Sequence, residues 1–208
     1  MSITYLIVLI AANALVSFKG FEDAAFFRKY EFHVGSIRAG EQYRMFSSAF
    51  LHVDFMHLAL NMLALYLFGP VVIGYSGPFG FLLVYFVSLL FGSLLTMVFH
   101  KDDYSYRAVG ASGATTGVLY ASILFEPDMR INFIPAYLFG LIYLLFSIYG
   151  MKTKKDNIGH TAHFGGAIGG MLITLAAHPG LISDRPGIVL FLTVPIVILF
   201  IMAKLGKI

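Results

Sequence analysis

Residues 79–99 read FGFLLVYFVSLLFGSLLTMVF, 21 residues without a charge. As a helix this run is roughly 30 Å long, the hydrocarbon thickness of a bilayer. Working outward, six more apolar segments accompany it. They run from about Ile3 to Phe18, Val53 to Val72, Ser112 to Phe125, Phe133 to Tyr149, Ala162 to Ala177 and Gly187 to Ala203. Hydrophobic residues make up 59% of the 208-residue chain and charged residues 12%, with a mean hydropathy of +0.83. That leaves too little polar surface for a soluble domain and excludes a disordered chain, a coiled coil and a secreted disulfide scaffold. The expectation is an all-α polytopic membrane protein. Its 21 glycines suit helices that approach closely in lipid. There is no cysteine, so disulfides, thiolate metal sites and a cysteine nucleophile are excluded. The net charge is +3 with no basic run, so no nucleic-acid partner is expected.

The first apolar run has the length of a signal peptide, and Ala12-Asn13-Ala14 resembles a cleavage site. No basic residue precedes it, so it reads as a retained transmembrane helix. The segment from Lys19 to Arg44 mixes charges with aromatic residues. It is expected in the membrane interface, rings among headgroups and charges in water.

Ionisable and strongly polar residues inside lipid are costly and read as functional by default. Three places carry them. In the second segment His57 and Asn61 lie four apart, on one helical face. The pair suits either interhelical hydrogen bonding or a binding site. His52 and Asp54, near that helix end, are expected to be solvated. The fourth segment is too short to span alone and opens with Gly110-Ala-Ser112-Gly113. Ser112 then sits at a helix N-terminus whose free N–H groups can hold an oxyanion, or it is a plain helix cap. The sixth segment places His163 one turn before Gly166 and Gly170. That GxxxG face matches Gly113 and Gly117, and docking the two would bring the His163 imidazole near the Ser112 hydroxyl. Serine needs an adjacent base, and histidine is the usual one. The plainer reading of His163 is a packed histidine bonded to a carbonyl.

Taken together, these motifs resemble the rhomboid intramembrane serine proteases. The likeness covers about Gly40 to Gly170. In order it uses Glu41-Gln-Tyr43-Arg44, His52 with His57 and Asn61, Gly110-Ala-Ser112-Gly113, and Ala162-His163 with Gly166 and Gly170. The resemblance implies a six-helix core with Ser112 as nucleophile and His163 as general base, and no catalytic Asp. His57, Asn61 and the Ser112 N–H would form the oxyanion hole. Gly110, Gly113, His52, Arg44, Gly166 and Gly170 would support the site. No metal and no cofactor are implied. Substrates would be membrane proteins cleaved in a transmembrane segment, entering past the fifth segment. Residues 1–208 would form one membrane domain: a core over about 1–178 and an additional C-terminal transmembrane helix over about 187–205. The expected location is a bacterial plasma (inner) membrane; the oligomeric state is not predicted.

Three features depart from the family pattern. An acidic residue is common in the loop after the second helix, and Gly69 to Gly77 has none. Tyr43 stands where tryptophan is usual. Thr116 stands where the family commonly packs Phe or Tyr on the catalytic histidine, so Tyr120 or another ring would have to supply that contact. Orientation is left open. Twelve of the 14 Lys and Arg residues, including Lys152, Lys154 and Lys155, fall on the side of the first loop. The positive-inside rule places that side in the cytoplasm, whereas the family pattern places the first loop outside. His52, Asp54, Lys101, Asp102, Asp103 and His160 are expected to wet the mouth of the site. Two other functions compete: a non-catalytic relative that binds and guides transmembrane helices, and a metal-dependent transporter or hydrolase using the histidines. The second is weak, because His52 and His57 are five apart and no HExxH motif occurs.

Overall fold

The computed structural model describes residues 3–153 and 159–208. Lys154 and Lys155 lie outside the described residues. Four of the described helices are long and apolar enough to cross a membrane: α1 (Thr4–Glu22), α5 (Phe55–Phe99), α7 (Ala136–Thr153) and α10 (Pro186–Lys204). Two more bury themselves among these: α6 (Ser112–Phe125) and α8 (His160–Ala177). Short helices α2 (Ala24–Tyr30), α3 (Val34–Arg38) and α4 (Arg44–Ser47) follow α1, and α9 (Gly180–Asp184) precedes α10.

The second and third segments expected from sequence form the single element α5, 45 residues long. As one straight helix it would measure nearly 70 Å, about twice a bilayer. It is broken at Gly77, whose φ of 71° and ψ of 173° are non-helical. Pro78 then opens the second limb, where its missing N–H costs nothing. The limbs fold back on each other. Asn61 of the first limb bonds Thr115, and Gly92 of the second approaches Gly113, so both reach the same end of α6.

Helix α6 is the centre of the packing. At 14 residues it is about 21 Å long, and every residue from Gly113 to Phe125 is buried. Lipid provides no hydrophobic drive between helices, so small residues that let backbones touch decide the contacts. Here Gly166 of α8 faces the Gly113 carbonyl, and Gly170 faces the Gly117 backbone. Gly165 of α8 lies against the backbone of Phe91 and Gly92 in α5. Leu60, Leu63, Leu94 and Val98 of α5 and Leu190, Phe200 and Ile201 of α10 are exposed and suit lipid. Helix α10 leans on α7 through Leu192, next to Gly140, and through Phe191, edge-on to Tyr137.

The region after α1 is more folded than its composition suggests. Strand β1 (Phe32–His33) pairs antiparallel with β2 (Arg107–Ala108), just before the Gly110 loop. Phe32, Val34 and Ile37 form a small core of their own. Glu31 is buried and takes ion pairs from Arg28 and Arg107. Arg44 is buried too, and donates to the Arg28 carbonyl (2.7 Å) and the Glu31 carbonyl (3.1 Å). These two charges are therefore inside the protein rather than in water. A buried charge is tolerated when it is paired and hydrogen-bonded, as both are. Tyr43 is exposed, with its hydroxyl on the Lys29 carbonyl.

Candidate active site

The loop before α6 is held from three sides. The Gly110 N–H donates to the Ser48 carbonyl (3.0 Å), and the Ala111 N–H donates to His52 Nε2 (3.3 Å). Gly110 has φ +123°, and a Cβ there would lie 2.6 Å from His57 Cε1. Conformation and space both demand glycine. His57 therefore sits directly against the loop that leads into Ser112.

His52 is fully buried, not solvated as expected. Its Nε2 accepts from Ala111, so the proton is on Nδ1, 2.8 Å from Ser17 Oγ on α1. Ser17 passes the bond on to the Phe50 carbonyl (2.9 Å). The chain anchors the Ser112 loop to α1. Asp54 caps α5, accepting from the His57 N–H at 2.7 Å. His160 is also buried, facing Gly150 of α7. Of the residues expected to wet the mouth, Asp54, Lys101, Asp102 and Asp103 are exposed, and His52 and His160 are not. The Ser105 hydroxyl and backbone N–H hold the Asp103 carboxyl below the usual range.

Asn61 shares a face with His57, as the spacing predicts. Its amide is occupied: Nδ2 donates to the His57 carbonyl (2.9 Å) and Oδ1 accepts from Thr115 (3.2 Å). In this geometry Asn61 ties α5 to α6 and uses one of its two amide N–H donors on its own helix.

Ser112 opens α6, and His163 lies in the first turn of α8. The two helices meet at their glycines. A Cβ on Gly166 would lie 1.8 Å from the Gly113 carbonyl oxygen, and one on Gly113 would lie 3.1 Å from the Ala162 carbonyl. Gly113 follows Ser112 and Ala162 precedes His163, so this contact joins the backbones of the two expected catalytic residues. A cavity of about 40 Å³ adjoins Ser112, lined in part by Ser48, Ser93, Thr96 and Gly159. It is roomy and polar enough for water.

The ring expected on His163 does not come from Tyr120. That hydroxyl donates to the Gly140 carbonyl (2.6 Å), deep in the core. Tyr143 of α7 stacks on the imidazole instead, with centroids 5.2 Å apart and planes at 29°. Ser147, one turn on, places its Oγ 3.3 Å from His163 Nδ1. Sequence reasoning missed both, and missed Ser17 and Thr115. The available signal was a tyrosine and a serine at helical spacing within the apolar fifth segment. Among the described residues, no three His, Asp or Glu side chains converge as metal ligands would.

A family model described as Rhomboid domain matches residues 39–180. The chain is 25% identical over 181 residues to RHOMBOID-like protein 12, mitochondrial, of Arabidopsis thaliana, covering 77% of this chain and 54% of that one. It is 33% identical over 140 residues to Rhomboid protease GluP of Bacillus subtilis, covering 67% and 27%. It is 35% identical over 136 residues to YdcA of the same organism, covering 65% and 67%. The chain thus spans about half the length of the plant relative and about a quarter of GluP. With the family model over most of its length and these relatives beside it, this integral membrane chain belongs to the rhomboid family.

Proposed function

We propose that this chain is an intramembrane serine endopeptidase of a bacterial plasma membrane, cleaving transmembrane segments of other membrane proteins. The observation that carries the reading is the glycine contact between α6 and α8, beside which Ser112 and His163 lie. In the mechanism, His163 takes the proton of Ser112 Oγ as that oxygen attacks a substrate carbonyl. The carbonyl oxygen gains negative charge at the N-terminus of α6, where the Ser112 N–H and the helix dipole stabilise it. The His57 side chain, against Gly110, adds a donor. Asn61 adds another, since its amide carries two N–H donors and the His57 carbonyl takes one. His163 next gives its proton to the leaving amine, and water hydrolyses the acyl-enzyme. The cavity beside Ser112 is a suitable store for that water.

The core would occupy about 1–178 with six transmembrane helices, counting the α5 limbs separately, and about 187–205 would be the additional helix. The two Bacillus relatives support the bacterial setting, which the plant mitochondrial relative does not share. A non-catalytic helix-binding relative is the second reading. Thr116 was the feature in its favour, and Tyr143 now meets that objection with a ring from another helix.

The test uses purified protein in detergent, a generic single-span substrate and a chelator throughout. Wild type is expected to cleave, and Ser112→Ala and His163→Ala to lose cleavage. Fluorophosphonate should label wild type and not Ser112→Ala. Cleavage that survives in both variants overturns the proposal, as does a folded wild type that neither cleaves nor labels.

A further inference from the structure

We infer that Tyr143 and Ser147 of α7 are positioning residues for His163, so that a third helix completes the alignment of the base. The inference rests on the serine-protease reading of Ser112 and His163. Tyr143 and Ser147 are four apart and share one face of α7. The Tyr143 ring stacks on the imidazole at 5.2 Å and limits its tilt. Ser147 Oγ lies 3.3 Å from Nδ1 and limits its rotation. A base that takes a proton on Nε2 must carry its own proton on Nδ1. The Ser147 oxygen can accept that Nδ1–H both before and after the transfer, which supports the productive tautomer. Aspartate does this in a Ser-His-Asp triad; here a neutral hydroxyl suits a site in which no carboxylate would be solvated.

Tyr143 is itself held. Its hydroxyl lies 3.2 Å from Thr116 Oγ1, which donates to the Ser112 carbonyl at 2.7 Å. The Thr116 hydroxyl has one proton and spends it on that carbonyl, so Tyr143 is the donor in the first bond. A hydrogen-bonded chain therefore runs from the ring over the base to the backbone of the nucleophile. A phenylalanine or tyrosine at position 116 would fill the space that Tyr143 occupies, so the two positions form one device: ring on α7, short hydroxyl on α6. Ser147 is buried, and its exchange for alanine removes one oxygen without exposing surface.

The experiment measures kcat and KM with the single-span substrate, and the rate of fluorophosphonate labelling. The variants are Ser147→Ala, Ser147→Thr, Tyr143→Phe, Tyr143→Leu and the pair Tyr143→Leu with Thr116→Phe. Thermal unfolding in detergent is followed for each. Misplacing a catalytic group by about 1 Å costs up to about 100-fold. Ser147→Ala and Tyr143→Leu are expected to lose about 10- to 100-fold in kcat and in labelling rate, with KM and unfolding temperature near wild type. Ser147→Thr and Tyr143→Phe are expected to keep most of the activity. The double variant, which returns a ring from α6, is expected to recover part of what Tyr143→Leu loses. Wild-type kcat in both Ser147→Ala and Tyr143→Leu overturns the inference while Ser112→Ala stays inactive. A loss seen only in KM, or rescued by none of the conservative changes, overturns it as well. If wild type neither cleaves nor labels, the protease reading fails first and takes this inference with it.

Discussion

Helix α8 meets its two neighbours in opposite ways. Against α6 it presents Gly166 and Gly170, and backbone touches backbone. Against α7 it presents two imidazoles: His163 meets the Tyr143 ring and the Ser147 hydroxyl, and His160 fills the space beside Gly150. The first interface sets where the chain runs. The second sets how one side chain points. A backbone contact has nothing that can move aside, whereas a ring or a hydroxyl can be exchanged at some cost in orientation. The expected consequence is a split between the two interfaces. Changes at the glycine face should act on folding, and changes on α7 should act on rate.

The strongest way to break this contrast is Gly166→Ala. Its Cβ would lie 1.8 Å from the Gly113 carbonyl oxygen, so α6 and α8 must separate. The expected loss exceeds about 3 kcal/mol, beyond ordinary overpacking, and detergent-solubilised protein should not survive purification as a folded species. A folded, active Gly166→Ala protein would show that the interface yields. Gly110→Ala comes next. It combines a φ of +123° with a clash against the His57 ring. Strain of about 1–3 kcal/mol and a displaced loop should lower unfolding temperature moderately and kcat steeply. Gly140→Ala on α7 sharpens the comparison further, since its Cβ would crowd the tips of Ile123 (2.8 Å) and Leu192 (3.3 Å) and touch the Tyr120 ring at an ordinary 3.6 Å. A cost of about 1 kcal/mol, read by thermal unfolding, is expected because flexible side-chain ends can shift. Smallest is Gly187→Ala near the start of α10, where nothing lies within 4 Å. Stability there should change by less than about 0.5 kcal/mol, and cleavage should equal wild type.

Much of the site was legible because membrane chemistry makes it conspicuous. An intramembrane histidine, a serine among glycines and a repeated GxxxG stand out against a chain that is 59% hydrophobic. Spacing gave the two strips, Gly113 with Gly117 and Gly166 with Gly170, since glycines four apart leave a flat strip on a helix; that the two strips meet is a finding of the structure. His52 was misread as solvated. It lies just before α5, near the helix end, and no local pattern reveals that Ser17 of a distant helix encloses it. The charges of the Lys19–Arg44 stretch were placed in water for the same reason. The burial of Glu31 and Arg44 depends on Arg107, 76 residues away from Glu31, and on carbonyls that a folded loop brings round.

Thr116 and Tyr143 mark the boundary between the two kinds of knowledge. Sequence alone pointed to an all-helical membrane chain, its seven apolar segments, the glycine strips and candidate residues for acyl-transfer chemistry. Each of these follows from composition or from periodicity along one helix. Tertiary structure decided that α5 folds back at Gly77, that Asn61 faces Thr115, and that the ring over His163 arrives from α7 rather than from Tyr120. A ring can reach a histidine from any helix packed beside it. Which helix that is depends on relative position and rotation in three dimensions, and no period along the chain encodes it.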